Sequence, residues 1–299
     1  MSEEPDYYTF SFPVTVHPIQ SPTRAATAYE QGETTSKNAI IFVGGLSDGP
    51  HMTWYVWTLA KKLADRRDLD YSLFEFRMRS SFGGFGASSL KNDVEDISAM
   101  VKHLRKIGRE KIILMGHSTG AQDCMEYTKY DEYGNEPVDG FIMQAPISDR
   151  ENLDETFPTW RKSIAHAEQM IAEGKQDHFM PPELVPQSLN GPITAYRIYS
   201  LMAPGGDDDY FSTDLPEEFV RDSWARFKKS VLVLHSENDE FVPKHIDQGA
   251  LNKKYQGLNP LVSKLSGVIP GAWHGVMMDE QQTWLDQRVM DFLEELKKS

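Results

Sequence analysis

Residues 111–128 read KIILMGHSTGAQDCMEYT. The stretch opens with the apolar run Ile112, Ile113, Leu114 and Met115, bounded by Lys111 in front and Gly116 behind. A run this short and this uniformly apolar predicts a parallel strand buried on both faces. Gly116, His117, Ser118, Thr119 and Gly120 follow, and then a helix-like segment. A G-x-S-x-G sequence between strand and helix is a nucleophile elbow. The turn is so sharp that side chains flanking the serine would meet neighbouring backbone, and glycines at 116 and 120 avoid this because they have no Cβ. Ser118 is then expected above the sheet edge with its Oγ exposed. The helix N-terminus behind it favours negative charge on a reacting oxygen. A bare G-x-S-x-G also occurs as an ordinary tight turn carrying a surface serine. What decides between the two is an acid and a histidine further on, each just past a strand, in the order Ser, acid, His.

Toward the C-terminus both are present. Residues 230–235, SVLVLH, form a strand pattern that runs into SENDEFVP, which places Asp239 in the loop leaving a core strand. Glu237 and Glu240 are rivals in the same loop, with Asp239 preferred. Residues 261–269, LVSKLSGVI, offer a last strand interrupted by Gly267, and PGAWHG then presents His274 on the loop beyond it. Residues 284–296 form an amphipathic helix expected to cover the sheet. Ser118, Asp239 and His274 therefore stand in hydrolase order, as nucleophile, orienting acid and general base.

Toward the N-terminus, the buried strand at residues 39–43, AIIFV, runs into GGLSDG at 44–49. Two glycines after a core strand let backbone N–H groups approach a ligand. In a serine hydrolase this loop supplies one oxyanion donor, and the residue after the nucleophile supplies the other. That assigns the amides of Leu46 and Thr119, with Gly45 as the alternative to Leu46. Residues 8–16, YTFSFPVTV, read as an edge strand in which Pro13 is tolerable, while residues 21–38 are polar and show little apolar periodicity. Helices are expected at 54–67 and at 90–107, the latter capped by Ser88 or Ser89, and strands at 71–76 and 138–144. Gly83, Gly84 and Gly86 fit neither the dinucleotide nor the phosphate-loop spacing. Arg77 and Arg79 at a strand end could orient a polar substrate, although arginines so placed are more often solvated or paired. His117, inside the elbow, is expected to be packed or hydrogen-bonded, His235 to be a core residue, and Cys124 to be buried packing.

Residues 148–226 depart from the strand–helix alternation. Helical pieces there alternate with proline-rich and acidic stretches, including the run Asp207, Asp208 and Asp209, read as a solvated turn. The chain of 299 residues suits one domain, 1–299, with a core at 1–147 and 227–299 and a cap inserted at about 148–226. A net charge of −14 argues against nucleic acid or an anionic membrane as partner. The acidic N-terminus lacks the apolar core of a secretory signal. Cys124 is the only cysteine, which rules out an internal disulfide and favours a reducing compartment. The histidines show no metal spacing, and no cofactor is expected.

The runs IIFVGGLSDGPH, RSSFGGFGASSLKNDVEDI, LMGHSTGAQDCMEY and HSENDEFVP with GAWHG together resemble a family of fungal and protist α/β-hydrolases that includes intracellular siderophore esterases. The likeness covers nearly the whole chain and is most specific at GHSTGAQDC. It implies an α/β fold with a mostly parallel central sheet, helices on both faces and an inserted helical cap. It further implies hydrolysis of fusarinine-type hydroxamate siderophore esters in the cytoplasm, on a small-molecule substrate that brings its own iron. A general carboxylesterase, a thioesterase or lipase-like enzyme, and a non-catalytic binding protein on the same fold remain the alternatives.

Overall fold

The computed structural model describes residues 11–24, 26–189 and 191–298. Among these, eight strands form one sheet: β1 (Thr15–Pro18), β2 (Thr27–Gln31), β3 (Asn38–Val43), β4 (Tyr71–Phe76), β5 (Ile112–His117), β6 (Gly140–Gln144), β7 (Val231–Ser236) and β8 (Gly267–Ile269), in the order β1-β2-β4-β3-β5-β6-β7-β8. The β1–β2 and β2–β4 pairs are antiparallel, and every pair from β4 to β8 is parallel. The parallel strands are mostly apolar because helices cover both their faces. One face carries α1 (Tyr55–Asp65) and α10 (Asp279–Lys298), with Leu59, Leu63, Leu285 and Phe292 buried against Ile40, Ile113 and Leu232. The other carries α2 (Leu90–Lys106), α3 (Thr119–Tyr127), α8 (Glu217–Ala225) and α9 (Gln248–Leu258), with Val94, Met125, Trp224 and Tyr255 packed on Ile41, Leu114 and Val233. Ser89 is the cap of α2, accepting from Asn92 N at 3.2 Å.

The short helices α4 (Tyr130–Tyr133) and α5 (Leu153–Thr156), then α6 (Trp160–Ala172) and α7 (Ala195–Met202), are the other α-helices among the described residues, beside three short 3-10 turns. Residues from α5, α6 and α7, among them Leu153, Ile164 and Ile198, make a third cluster that also takes in Phe85. No described helix is long and apolar enough to cross a membrane.

Three expectations need correction. The edge strand read at 8–16 is Thr15–Pro18 in its described part, and residues 8–10 lie outside the described residues. The polar stretch 21–38 contains β2, whose Glu30 and Gln31 are nevertheless buried. Glu30 accepts from His17 Nε2 at 2.8 Å and Ser72 Oγ at 2.7 Å and pairs with Arg109, while Gln31 Nε2 donates to Glu75 at 2.8 Å. Cross-strand polar partners thus do here what apolar packing does elsewhere. The last strand is confined to Gly267–Ile269. A turn closed by Ser266 N on Ser263 O breaks the segment ahead of it, and Gly267 begins the strand instead of interrupting it.

Asp286 on α10 is buried, its Oδ1 has no partner, and burial pushes its carboxyl up to about 7, with Lys62 only partly offsetting the effect. The folded chain therefore holds a proton here up to near pH 7, whereas an unfolded aspartate releases it near pH 4. Stability from this group is present below about pH 4 and is lost as pH rises toward 7. Asp286→Asn is expected to remove that loss, gaining on the order of 2–4 kcal/mol relative to wild type between pH 5 and pH 8 in urea unfolding. Equal pH slopes for the two proteins would overturn the assignment.

Candidate functional site

Ser118 sits between β5 and α3 with φ 54° and ψ −120°, a conformation that side chains rarely adopt. A Cβ on Gly116 would lie 1.9 Å from Gly120 O, and one on Gly120 would lie 2.3 Å from Val43 O. Backbone closes on backbone on both sides of the serine, as the spacing predicted. Ser118 N donates to Gln144 O at 3.0 Å, and Ala121 N returns to Ser118 O at 2.7 Å. Ser118 remains partly exposed between the buried His117 and Thr119.

Asp239 and His274 come together from two loops. His274 Nδ1 donates to Asp239 Oδ2 at 2.7 Å, and Asp239 Oδ1 accepts from Phe241 N at 3.1 Å. Both residues are buried. With Nδ1 protonated against a carboxylate, Nε2 is the free basic nitrogen. The imidazole lies beside the elbow, with its ring centroid 4.8 Å from that of His117. The rival acids have other work. Glu240 accepts from His274 N at 2.9 Å and Glu237 from Gly271 N at 2.6 Å, so both hold the backbone of the histidine loop.

In the loop after β3, Gly45 N donates to Asp48 Oδ2 at 2.8 Å. Asp48 also accepts from Thr53 Oγ1 at 3.2 Å, and burial raises its pKa against the pull of these bonds. A Cβ on Gly45 would lie 2.9 Å from Ser118 Cβ, so this loop runs directly over the serine.

His117 is buried and hydrogen-bonded through Nδ1 to Gln144 Oε1, and burial, aided by His274, pushes it down to about 3, so it is neutral. His235 is buried and stacks on Tyr255, and Cys124 is fully buried, which raises its thiol well above the usual range. Arg79 is paired with Glu95 and Asp96 and is not free for a substrate, while Arg77 is exposed. The acidic run is not a solvated turn. Asp207 is exposed, but Asp208 is buried against Arg197 at 2.7 Å, and Asp209 is buried against Arg150 at 2.7 Å. Among the described residues no group of three or more acid, histidine or cysteine side chains could hold a metal ion.

The sequence reading missed Gln144. This buried residue at the end of β6 accepts at Oε1 from Tyr55 OH at 3.2 Å and from His117, and donates from Nε2 to Ser236 Oγ at 3.1 Å and His274 O at 3.4 Å. The available signal was a lone amide closing an apolar strand on the edge where the loops converge.

A parallel sheet wrapped by helices, with a strained serine at a strand-to-helix turn, defines an α/β-hydrolase. Within that class, the chain belongs to the family described as "Protein of unknown function (DUF1749)", which matches residues 7–294. It is similar to fusarinine C esterase sidJ of Aspergillus fumigatus, 29% identical over 93% of this chain and 95% of that protein. UPF0613 protein PB24D3.06c of Schizosaccharomyces pombe is 32% identical over 81% of each chain. Among solved structures, siderophore hydrolase EstB from Aspergillus fumigatus superposes with a TM-score of 0.78 at 28% identity, covering 96% of this chain and 99% of that one. The family resemblance read from the motifs is borne out.

Replacing Gln144 by leucine would strand the Tyr55 and Ser236 hydroxyls and His117 Nδ1 without their buried partner. Gln144→Leu is expected to lower the unfolding free energy by about 3 kcal/mol in urea titration. A loss below about 1 kcal/mol, within the range of one ordinary hydrogen bond, would show that the amide does not tie these elements together.

Proposed function

We propose that the protein is a serine hydrolase of carboxylic esters, acting on a hydroxamate siderophore ester of the fusarinine type. The observation that supports the mechanism is the His274–Asp239 pair, bonded at 2.7 Å, with the imidazole 4.8 Å from the ring of His117, the residue before Ser118. Ser118 Oγ attacks the ester carbonyl carbon while His274 Nε2 takes its proton. Asp239 holds the imidazole tautomer and stabilises the imidazolium. The amides of Leu46 and Thr119 bind the developing oxyanion, a contribution of roughly 3 kcal/mol per donor in comparable sites. His274 then protonates the leaving alkoxide. A water, deprotonated by the same imidazole, frees the acid and restores Ser118.

Residues 148–226 serve as the cap over this site, and the work is done in the cytoplasm. Support for the siderophore substrate comes from the named relatives and from the surface around His274. Phe241, edge-on to the His274 ring at 4.8 Å, is exposed, as are Trp273 and Met278, giving a bulky ester an apolar landing face. Iron enters only as part of the substrate.

Purified protein incubated with ferri-fusarinine C is expected to release linear hydroxamate acids, resolved by mass spectrometry. Ser118→Ala is expected to lower kcat by about 10⁶-fold and Asp239→Asn by about 10⁴-fold. A fluorophosphonate probe is expected to label wild type and not Ser118→Ala. Equal rates for wild type and Ser118→Ala would sink the mechanism. Turnover of short synthetic esters with none of the siderophore would remove the substrate assignment alone.

A further inference from the structure

On the α2–α3 side of the sheet, the loop at residues 44–50 roofs a small chamber of about 30 Å³. Its rim, including Leu46, Ser80 and Ser81, is partly exposed. Its floor is Thr119 and Asp123 of α3, Asp93 of α2 and Arg197 of α7, each more than nine-tenths buried. Four polar atoms of that floor have no hydrogen-bond partner among the described residues: Asp93 Oδ1, Asp123 Oδ1, Thr119 Oγ1 and Arg197 Nε. Buried polar atoms are rarely left so, and a cluster of them beside a reactive serine calls for a ligand.

The charges say which kind. Arg197 is the one buried cation at the floor, and its Nη1 is committed to Asp208, at 2.8 Å to Oδ1 and 2.7 Å to Oδ2. Arg197 also draws down the carboxyls of Asp93 and Asp123, but it is shared with Asp208 and Asp149, so this one cation is set among four acids. Burial pushes the Asp93 carboxyl up to about 7 and that of Asp123 well above the usual range, and Asp93 adds to the shift on Asp123. A cation placed between them would relieve both the desolvation and the repulsion. Asp48 and Glu75 also line the chamber, but Asp48 is taken by Gly45 N and Thr53 Oγ1 and Glu75 by Gln31 Nε2 and His51 N, and among the described residues no group of three or more acids is set to hold a metal ion. A chamber of about 30 Å³ has room for a group the size of a water molecule.

We propose that this chamber is a subsite for a protonated primary amine carried by the ester substrate. An –NH₃⁺ group brings three donors and no acceptor. It meets Asp93 Oδ1, Asp123 Oδ1 and Thr119 Oγ1, the three orphan acceptors of the floor. Leu46 and Thr119, whose amides serve the proposed oxyanion hole, both line the chamber, so the amine branches from the part of the substrate held at that hole. The proposal rests on the ester-hydrolase reading and adds to it a charge requirement on the substrate.

Hydrolysis of ethyl 2-aminohexanoate and ethyl 6-aminohexanoate is compared with that of ethyl hexanoate. Wild type is expected to favour at least one amino ester by about 10-fold or more in kcat/KM, the scale of a charged hydrogen bond. Asp93→Asn and Asp123→Asn, checked for folding by circular dichroism, are each expected to bring that ratio toward 1. Ethylammonium is expected to inhibit amino-ester turnover competitively, and tetramethylammonium, too large and without donors, to leave it unchanged. A wild-type ratio near 1, or a ratio indifferent to both substitutions, would overturn the subsite. If no ester is turned over, the hydrolase reading fails by itself and calorimetry decides the subsite. Binding of ethylammonium but not tetramethylammonium to wild type upholds it, and absence of ethylammonium binding ends it.

Discussion

One buried amide joins the elements on which the site is built. Gln144 ends β6, and its four side-chain bonds reach Tyr55 on α1, His117 on β5, Ser236 on β7 and the carbonyl of His274. Its own carbonyl accepts Ser118 N, so the same residue also fixes the backbone of the elbow. The pattern requires two donors at Oε1, which in turn requires His117 to carry its proton on Nδ1. Burial keeps that imidazole neutral. A charged His117, with its ring 4.8 Å from His274, would oppose the imidazolium that the proposed mechanism forms. The neutral tautomer of one histidine and the freedom of its neighbour to charge are thus linked through a side chain that touches no substrate.

How much of this was legible in the sequence depends on where the polar groups fall. The parallel strands β3 to β7 could be read because both faces are covered, which makes their central residues mostly apolar. The elbow could be read because backbone contact at Gly116 and Gly120 forbids any other residue. β2 could not, because Glu30 and Gln31 are buried by pairing with residues far away in the chain, and no local pattern shows a partner such as Arg109. The acidic run 207–209 misled for the same reason. Its composition is that of a solvated turn, and only the arrival of Arg197 and Arg150 makes it interior. Gln144 lies in between. Its place at a strand end was visible, but its partners were not.

These buried pairs do different work from the apolar cores. Replacing a buried ion pair by apolar residues often costs little stability, but breaking one half of it costs much. Arg197 with Asp208 and Arg150 with Asp209 therefore specify an arrangement more than they add to its free energy. Asp209 also accepts from Gly205 N at 3.0 Å, so the loop from 205 to 209 closes on the same carboxylate that receives Arg150. The segment 148–226 is tied to one geometry by directional bonds near its ends and by its own apolar cluster in the middle.

The loop that carries the acid shows how one carboxylate is singled out among three. Glu237, Asp239 and Glu240 leave β7 within four residues of one another. Glu237 reaches Gly271 N and Glu240 reaches His274 N, and with Asn238 N on Ala272 O at 2.8 Å they bind the two loops together through the main chain. Asp239, one methylene shorter than its neighbours, is buried, and it alone meets the imidazole. The two glutamates set the height of His274 by its own backbone, and Asp239 sets the rotation of its ring. The division follows from side-chain length and from which groups the opposite loop offers. Sequence order alone could rank these acids, but only the facing amides of Gly271 and His274 give each of them its role.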